Sequence, residues 1–157
     1  MVSEEISDRV FDIRKFDISR VKNGCMAIVL GKRNVGKSHL MRALSCQEHA
    51  RKNPFTIALS PTEPLDKFYS SLLPSICVQE DHRSASEVIE NLMKRQCCLL
   101  DLKNKEESLC RGSSWINPYA TLILDNCILD SDQWKNTHVK SLFMNGRNYN
   151  ILSLISL

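Results

Sequence analysis

Four short, mainly apolar runs divide the chain, and the first of them shows no alternation with polar residues. They are Cys25–Leu30, Phe55–Ser60, Ala120–Asn126 and Ile151–Leu157. A strand that is covered on both faces reads as such a continuous run, as in a parallel sheet. Segments with apolar residues at helical spacing lie between the runs. Because predicted strands alternate with predicted helices, the pattern indicates an α/β domain with a mainly parallel sheet and right-handed crossovers.

The helical segments are bounded by recognisable start and stop signals. Pro54 ends the first one, Ser84 and Glu87 open the third with capping-box spacing, and Gly146 ends the last. The predicted helices are Ser38–Asn53, Leu65–Leu73, Ser84–Leu102 and Ser131–Asn148, with a small strand at Ser75–Val78 and a polar loop over residues 103–119.

The first residues differ in pattern from the rest of the chain. Phe11–Ser19 contains F-D-I twice, with apolar and polar residues alternating, which suits half-buried strands. We therefore predict lead-in strands within residues 1–22 and one domain over residues 23–157.

The strongest chemical signal is the spacing G-x-x-x-x-G-K-S, which runs from Gly31 to Ser38. It follows a buried strand and opens an amphipathic helix, and this setting is the one that a phosphate-binding loop requires. Glycines let the backbone turn its N–H groups towards phosphate oxygens, and the helix N-terminus adds a positive dipole end. The predicted phosphate-binding residues are Gly31, Lys32, Arg33, Asn34, Val35, Gly36, Lys37, Ser38 and His39.

Two of these residues have more specific predicted roles. The Lys37 ammonium would reach the β- and γ-phosphates, and the Ser38 hydroxyl would ligate Mg²⁺. A second acid normally completes the magnesium site at the end of a neighbouring strand. Asp125 ends the apolar run "LILD" and is the candidate. The alternative for Asp125 is a purely structural role at the end of a strand or the start of a helix.

Composition narrows the class of protein only a little. The net charge of +3 permits a polyanionic partner without requiring one. The seven cysteines include no C-x-x-C pair, so we expect reduced, mostly buried thiols in an intracellular protein. No apolar stretch has the length of a membrane span, and the N-terminus lacks the apolar core of a signal peptide. We expect a soluble protein without membrane contact.

"NVGKS" also occurs in Ras-like GTPases, which we considered as an alternative. Such GTPases carry a D-x-x-G after the third strand and an N-K-x-D that reads guanine. Here Asp125 is followed by Asn126, Cys127 and Ile128, and no N-K-x-D occurs in the chain. The sequence therefore does not support guanine specificity.

From about Phe16 onward the sequence resembles the genome-packaging ATPases of large DNA viruses, the poxvirus-type branch of the FtsK/HerA superfamily of P-loop NTPases. Four stretches carry this resemblance in the family's order: "GKRNVGKS", "IALSPTEP", "LILDNCILD" and "LFMNGRNYNI". The first is similar to the family's phosphate loop and the third to its Walker B strand with the turn that follows. Four matches in order are far more specific than the loop alone.

The resemblance implies ATP and Mg²⁺ as ligands, hydrolysis in a ring of subunits, and double-stranded DNA as a partner that is driven into a capsid, with the capsid vertex as a further contact. It also implies the additional-strand P-loop fold, in which Ile151–Leu157 is inserted between the loop strand and the Walker B strand. Arg147 matches a family arginine and would act at the γ-phosphate, in cis or across a subunit interface; helix-end dipole balance is its structural alternative. The implied location is the viral factory or host cytoplasm, or the virion.

The chain departs from the family pattern at two places. The family's Walker B strand usually ends in two acids, whereas Asn126 occupies the second position here. An amide can hydrogen-bond a water molecule but cannot take its proton. In the family, a polar sensor residue and a further strand follow the segment that matches Ile151–Leu157, so we expect a C-terminally incomplete domain. The alternative function is a truncated, non-hydrolysing ATP-binding relic or interaction module.

Overall fold

The computed structural model describes residues 17, 20–46, 52–110, 114–127 and 131–157. The lead-in strands predicted for Phe11–Ser19 lie outside the described residues, apart from the single position Asp17.

The described residues form an α/β fold around one five-stranded sheet. Every neighbouring pair of strands is parallel, in the order β1-β5-β4-β2-β3. The strands are β1 (Met26–Val29), β2 (Phe55–Leu59), β3 (Val78–Gln79), β4 (Ala120–Asp125) and β5 (Ile151–Ser156). The predicted α/β class and the four predicted strands are confirmed, and the small strand predicted at Ser75–Val78 is reduced to β3 after a short 3₁₀ turn.

Strand β5 lies between β1 and β4, so the last apolar run of the sequence separates the first and third. Its register aligns Ser153 with Met26 of β1, and Ser156 with Asp125 of β4. Both β4 and β5 are buried at every position, which accounts for their mainly apolar sequences. This is the inserted strand that the resemblance implied.

Helices cover the sheet on its two faces. They are α1 (Lys37–Ser45), α2 (Glu63–Asp66), α3 (Ala85–Cys110), α4 (Ser131–Lys135) and α5 (Thr137–Asn145), with 3₁₀ turns at Ser75–Cys77, His82–Ser84 and Gly146–Tyr149. On one face, Leu122 and Leu124 of β4 pack with α3 and α5. On the other face, Ile123 packs with Met41 of α1 and with Tyr69.

Helix α3 is longer than the sequence pattern predicted. It runs to Cys110, so the predicted loop over residues 103–119 is wrong for its first part. The extension contains strong helix formers, and the Lys103 ammonium lies 3.8 Å from the Glu107 carboxylate one turn later. Residues 103–109 thus form a solvent-facing helical segment. Such a segment has no apolar periodicity from which a helix could be predicted.

The helix predicted at Leu65–Leu73 is also wrong. Helix α2 ends after one turn, because Lys67 adopts a left-handed backbone conformation with φ of 48°. The chain then turns so that the Glu63 carboxylate accepts the backbone N–H groups of Tyr69 and Ser70. The conformation of this segment is therefore fixed by the buried carboxylate of Glu63 and not by an apolar helix face.

Two further predictions need correction. The single helix predicted over Ser131–Asn148 is interrupted at Asn136, whose side chain accepts the backbone N–H groups of His138 and Val139 and caps α5. Among the cysteines whose side chains are described, Cys127 alone is fully buried, so the expectation of mostly buried thiols is wrong.

Candidate functional site

The loop between β1 and α1 adopts a conformation that depends on glycine at its end. Gly36 has φ of 90° and stands as the N-cap of α1, and Asn34 also has a positive φ of 61°. The Gly36 carbonyl accepts the Leu40 N–H at 3.0 Å, which starts the helix directly after the turn. Because the first N–H groups of a helix have no partner within it, α1 offers free donors at this end.

The constraint at Gly31 is a different one, close approach to the Val35 side chain. A Cβ atom at this position would lie 2.9 Å from Cγ2 of Val35, well inside the normal contact distance. The loop therefore folds back on its own first residue. Residues 31–36 are all exposed, so the groups of the loop face solvent.

Lys37 holds its ammonium within this loop. Its Nζ donates to the carbonyl of Gly31 at 2.8 Å and to the carbonyl of Lys32 at 3.1 Å. The positive charge is thus positioned over the turn by the main chain, and exposed Lys32 and Arg33 add further positive charge. The arrangement collects a helix N-terminus and cations at one place, which favours a bound anion.

Asp125, at the end of β4, is the buried acid of this region. Its side chain is 2% exposed. Oδ2 accepts the Tyr69 hydroxyl at 2.8 Å, and Oδ1 accepts the Ser156 hydroxyl. Burial and the charge of Asp125 raise the pKa of Tyr69 far above its ordinary value, so the phenol stays protonated and donates.

Parallel pairing brings these groups to the same edge of the sheet. The loop follows the carboxyl end of β1, and Asp125 and Ser156 end β4 and β5 in register. Helix α1, which contains half-buried Ser38 in its first turn, packs on β4 and β5. Lys37, Ser38 and Asp125 therefore share the carboxyl edge of the sheet, where ligands bind in open α/β folds.

Asn126 lies at the same edge, with its side chain exposed. Its backbone is left-handed with φ of 55°, and its N–H donates to the carbonyl and the hydroxyl of Ser156, each at 3.2 Å. Asparagine and aspartate tolerate this conformation better than other side chains do. Asp130, the next acidic residue in the sequence, lies outside the described residues.

Arg147 lies at the opposite edge of the sheet. It belongs to the 3₁₀ turn before β5, and its backbone packs against Gly24, which precedes β1. Six strand residues, or about 20 Å, separate this edge from the phosphate loop. The cis contact with a γ-phosphate suggested by the sequence is therefore wrong, because an arginine side chain does not span that distance. Contact across a subunit interface stays a prediction.

Three residues of this region were not predicted from the sequence: Glu63, Tyr69 and Ser156. Ser156 had a weak signal, since it is a polar residue near the end of a mainly apolar run, and the structure aligns it with Asp125. Tyr69 gave no signal, because it lies 56 residues before Asp125 and within a segment misread as a helix.

His39, a predicted residue of the phosphate loop, contacts this segment. Its ring lies edge-on to the Phe68 ring, with 5.5 Å between the two centroids.

The site suits a hard cation bound together with an anionic ligand. Within the described residues, no group of three or more histidine, cysteine, aspartate or glutamate side chains could hold a metal ion alone. One carboxylate and one hydroxyl do fit Mg²⁺, which keeps several waters and shares its shell with substrate phosphates.

Among the helices that the structure describes, none combines the length and the apolar character of a membrane span.

Three viral proteins are similar to the chain over most of its length. Uncharacterized protein L437 of Acanthamoeba polyphaga mimivirus is 24% identical over 94% of the chain and 50% of its own length. Uncharacterized protein 075L of Invertebrate iridescent virus 6 is 30% identical over 99% of the chain and 56% of its own length. Uncharacterized protein 015R of Frog virus 3 is 28% identical over 85% and 37%, respectively. The chain thus spans about half the length of these relatives or less.

A solved structure also shares the fold. The conjugation coupling protein TcpA of pCW3, solved in its monomer form with ATPγS, is similar with a TM-score of 0.58 over 90% of the chain and 44% of TcpA. At 12% sequence identity, this similarity concerns the fold alone. No protein-family model matches the chain.

Proposed function

We propose that the chain binds ATP with Mg²⁺ at the carboxyl edge of its sheet. The observation that carries this proposal is the position of Lys37: its ammonium lies within a glycine-bounded loop at a helix N-terminus, at the edge where the buried carboxylate of Asp125 ends β4. The loop N–H groups and Lys37 would bind the phosphates. The Ser38 hydroxyl and Asp125 would hold the magnesium shell.

A bound magnesium ion would neutralise the charge that develops on the phosphates during transfer. The residues of this chain would supply position and electrostatics. Lys32, Arg33 and the N-terminus of α1 would attract the polyphosphate, and Asp125 would orient the metal-bound waters. His39 and Asn34 would border the ligand on the loop side.

The wider function that we propose is that of a DNA-translocating ATPase of the viral packaging type. The four-stretch resemblance supports this proposal, and so do the viral origin of the relatives and the strand inserted between β1 and β4. The partners would be double-stranded DNA, further copies in a ring with Arg147 facing a neighbouring site, and a capsid vertex. The protein would act in the viral factory, the host cytoplasm or the virion.

The second candidate function is that of an ATP-binding module without hydrolysis. Asn126 favours it, because this exposed amide occupies the position after Asp125 where the packaging family usually has its second acid. An amide can position a water molecule but cannot accept its proton. Such a module would join a ring of active subunits through its fold.

Nucleotide binding is tested by titrating the chain with a fluorescent ATP analogue in the presence of Mg²⁺. Lys37→Ala should weaken binding at least about a hundredfold, since it removes the cation on the phosphates. Lys140→Ala, an exposed lysine on α5, is the matched control and should bind as the wild type does. Equal affinities of wild type and Lys37→Ala would overturn the proposed function.

Hydrolysis is measured as phosphate release with and without double-stranded DNA. If Asn126 limits the chemistry, Asn126→Asp should raise turnover, and aspartate is compatible with the left-handed backbone at this position. A wild-type turnover near one per second or faster would eliminate the non-hydrolysing alternative. DNA stimulation that declines steeply with salt would support the translocating function.

A further inference from the structure

Two adjacent aromatic residues, Phe68 and Tyr69, connect α1 to the end of β4; we refer to this pair as the aromatic bridge. The Phe68 ring receives the edge of His39, and the Arg42 guanidinium lies 5.5 Å from its centroid. Tyr69 packs edge-on against Phe68 with centroids 5.2 Å apart, and its hydroxyl reaches Asp125. The bridge thus contacts both the helix that follows the phosphate loop and the buried carboxylate.

A buried acid fixes the backbone of the bridge. Glu63 is 1% exposed, and its Oε2 accepts the Tyr69 N–H at 2.9 Å. Its Oε1 accepts both the N–H and the hydroxyl of Ser70 at 2.6 Å. These bonds replace the helix that the sequence suggested here. The hydrogen bonds to Glu63 therefore hold the backbone of Tyr69 where its hydroxyl can donate to Asp125.

The carboxylate that receives the Tyr69 hydroxyl is held from both sides. Ser156 donates to one oxygen of Asp125 and Tyr69 to the other. Among the described residues, the two side chains that donate to this nearly fully buried carboxylate are neutral hydroxyls. A carboxylate has about four acceptor sites, so each oxygen keeps one for a further donor. Two hydroxyls fix the plane of the carboxylate and leave room for the waters of a cation.

We propose that Tyr69 is a positioning residue for magnesium: it orients Asp125 so that the carboxylate meets the metal shell of a nucleotide bound at the phosphate loop. This inference rests on the proposed function. The bridge also connects metal binding to α1, since Phe68 contacts His39 and Arg42. The loop after β2 thereby becomes part of the nucleotide site without touching the nucleotide.

The test compares nucleotide affinity with Mg²⁺ and with EDTA in the same variant, using a fluorescent ATP analogue. The ratio of the two dissociation constants reports the metal-dependent gain and is insensitive to a general loss of folded protein. Tyr69→Phe removes only the hydroxyl and should reduce this gain about tenfold. Tyr119→Phe removes a hydroxyl from the loop before β4 and should leave the gain unchanged.

Glu63→Gln provides a second route that keeps the tyrosine. Glutamine has one acceptor oxygen where the structure uses two, so it should displace Tyr69 and reduce the gain in the same direction. This variant decides the question if Tyr69→Phe does not fold by circular dichroism. A full metal-dependent gain in the folded variants, with only a lower Tm, would overturn the inference and leave the proposed function standing. Absence of nucleotide binding by the wild type would overturn both.

Discussion

The two halves of the site are built in opposite ways. The phosphate loop is exposed from residue 31 to residue 36, and its shape depends on glycines and on one lysine that contacts its own neighbours in sequence. The carboxylate of Asp125 is almost fully buried, and its partners come from 56 residues before it and 31 after it. Local sequence makes the first half, and tertiary structure makes the second.

This difference predicts how substitutions divide between folding and binding. The side chains of the loop face water in the absence of a ligand, so they contribute to binding and little to the free energy of unfolding. Groups around Asp125 are buried and hydrogen-bonded, so they contribute to both. Measurements of unfolding free energy by urea denaturation can therefore separate the two halves.

Asp125→Ala should have the largest effect on stability. It removes two hydrogen bonds to a charged acceptor and leaves the hydroxyls of Tyr69 and Ser156 buried without an acceptor. The free energy of unfolding should fall by about 2–4 kcal/mol. Asp132→Ala, an exposed aspartate paired with Lys135, is the control and should change stability by less than about 0.5 kcal/mol. A more stable Asp125→Ala protein would show that the buried charge costs more than its hydrogen bonds return.

Gly36→Ala should come second. Nothing lies within 4 Å of a Cβ at this position, so the cost comes from φ of 90° alone, about 1–2 kcal/mol. Gly31→Ala is the informative partner, because its φ is not positive and its added Cβ meets only the tip of exposed Val35. Equal costs for the two variants would contradict the distinction between a strained turn and a close contact.

Glu63 should give the stability of the protein a dependence on acid pH. Burial opposes its ionisation, but hydrogen bonds from the Ser70 hydroxyl and from backbone N–H groups outweigh burial and lower its pKa below the ordinary value. The stabilisation by the ionised Glu63 is therefore complete above the ordinary glutamate pKa of about 4.3. It is lost as the pH falls through the lowered pKa of Glu63 in the folded protein.

Urea denaturation at several pH values between neutral and about 3 checks this dependence. The wild type should lose stability more steeply than Glu63→Gln below the ordinary carboxyl pKa. Glu107→Gln, which replaces an exposed carboxylate on α3, should follow the wild-type curve. Identical slopes for wild type and Glu63→Gln would mean that Glu63 titrates normally in the folded protein.

Lys37→Met should have the smallest effect on folding, less than about 0.5 kcal/mol. The carbonyls of Gly31 and Lys32 are exposed and take water in place of the ammonium. The same variant should lose nucleotide binding, so binding and stability would be separated in one protein. A loss of several kcal/mol by urea denaturation would instead make Lys37 a structural residue of the loop.

The phosphate loop could be predicted from the sequence, whereas the surroundings of Asp125 could not. The spacing of Gly31, Gly36 and Lys37 specifies a local turn, and continuous apolar runs specify the buried parallel strands β4 and β5. Tyr69 could not be found in this way, because its segment is shaped by the buried carboxylate of Glu63 and not by a periodic apolar face. The cis alternative for Arg147 was wrong for a related reason: proximity to a strand in sequence does not say at which edge of the sheet a side chain lies.

The order of the strands has a consequence for the synthesis of the chain. Within the described sheet, β1 pairs with β5 alone, and Met26 has its counterpart at Ser153. During translation the strand before the loop therefore emerges from the ribosome long before its partner exists. Such non-local parallel pairing is slow to form, and in the meantime it leaves apolar side chains and unpaired strand edges exposed. Nascent chains stalled ahead of Ile151 should be cut readily by protease and should engage chaperones, whereas release of the completed β5 ends that vulnerable interval.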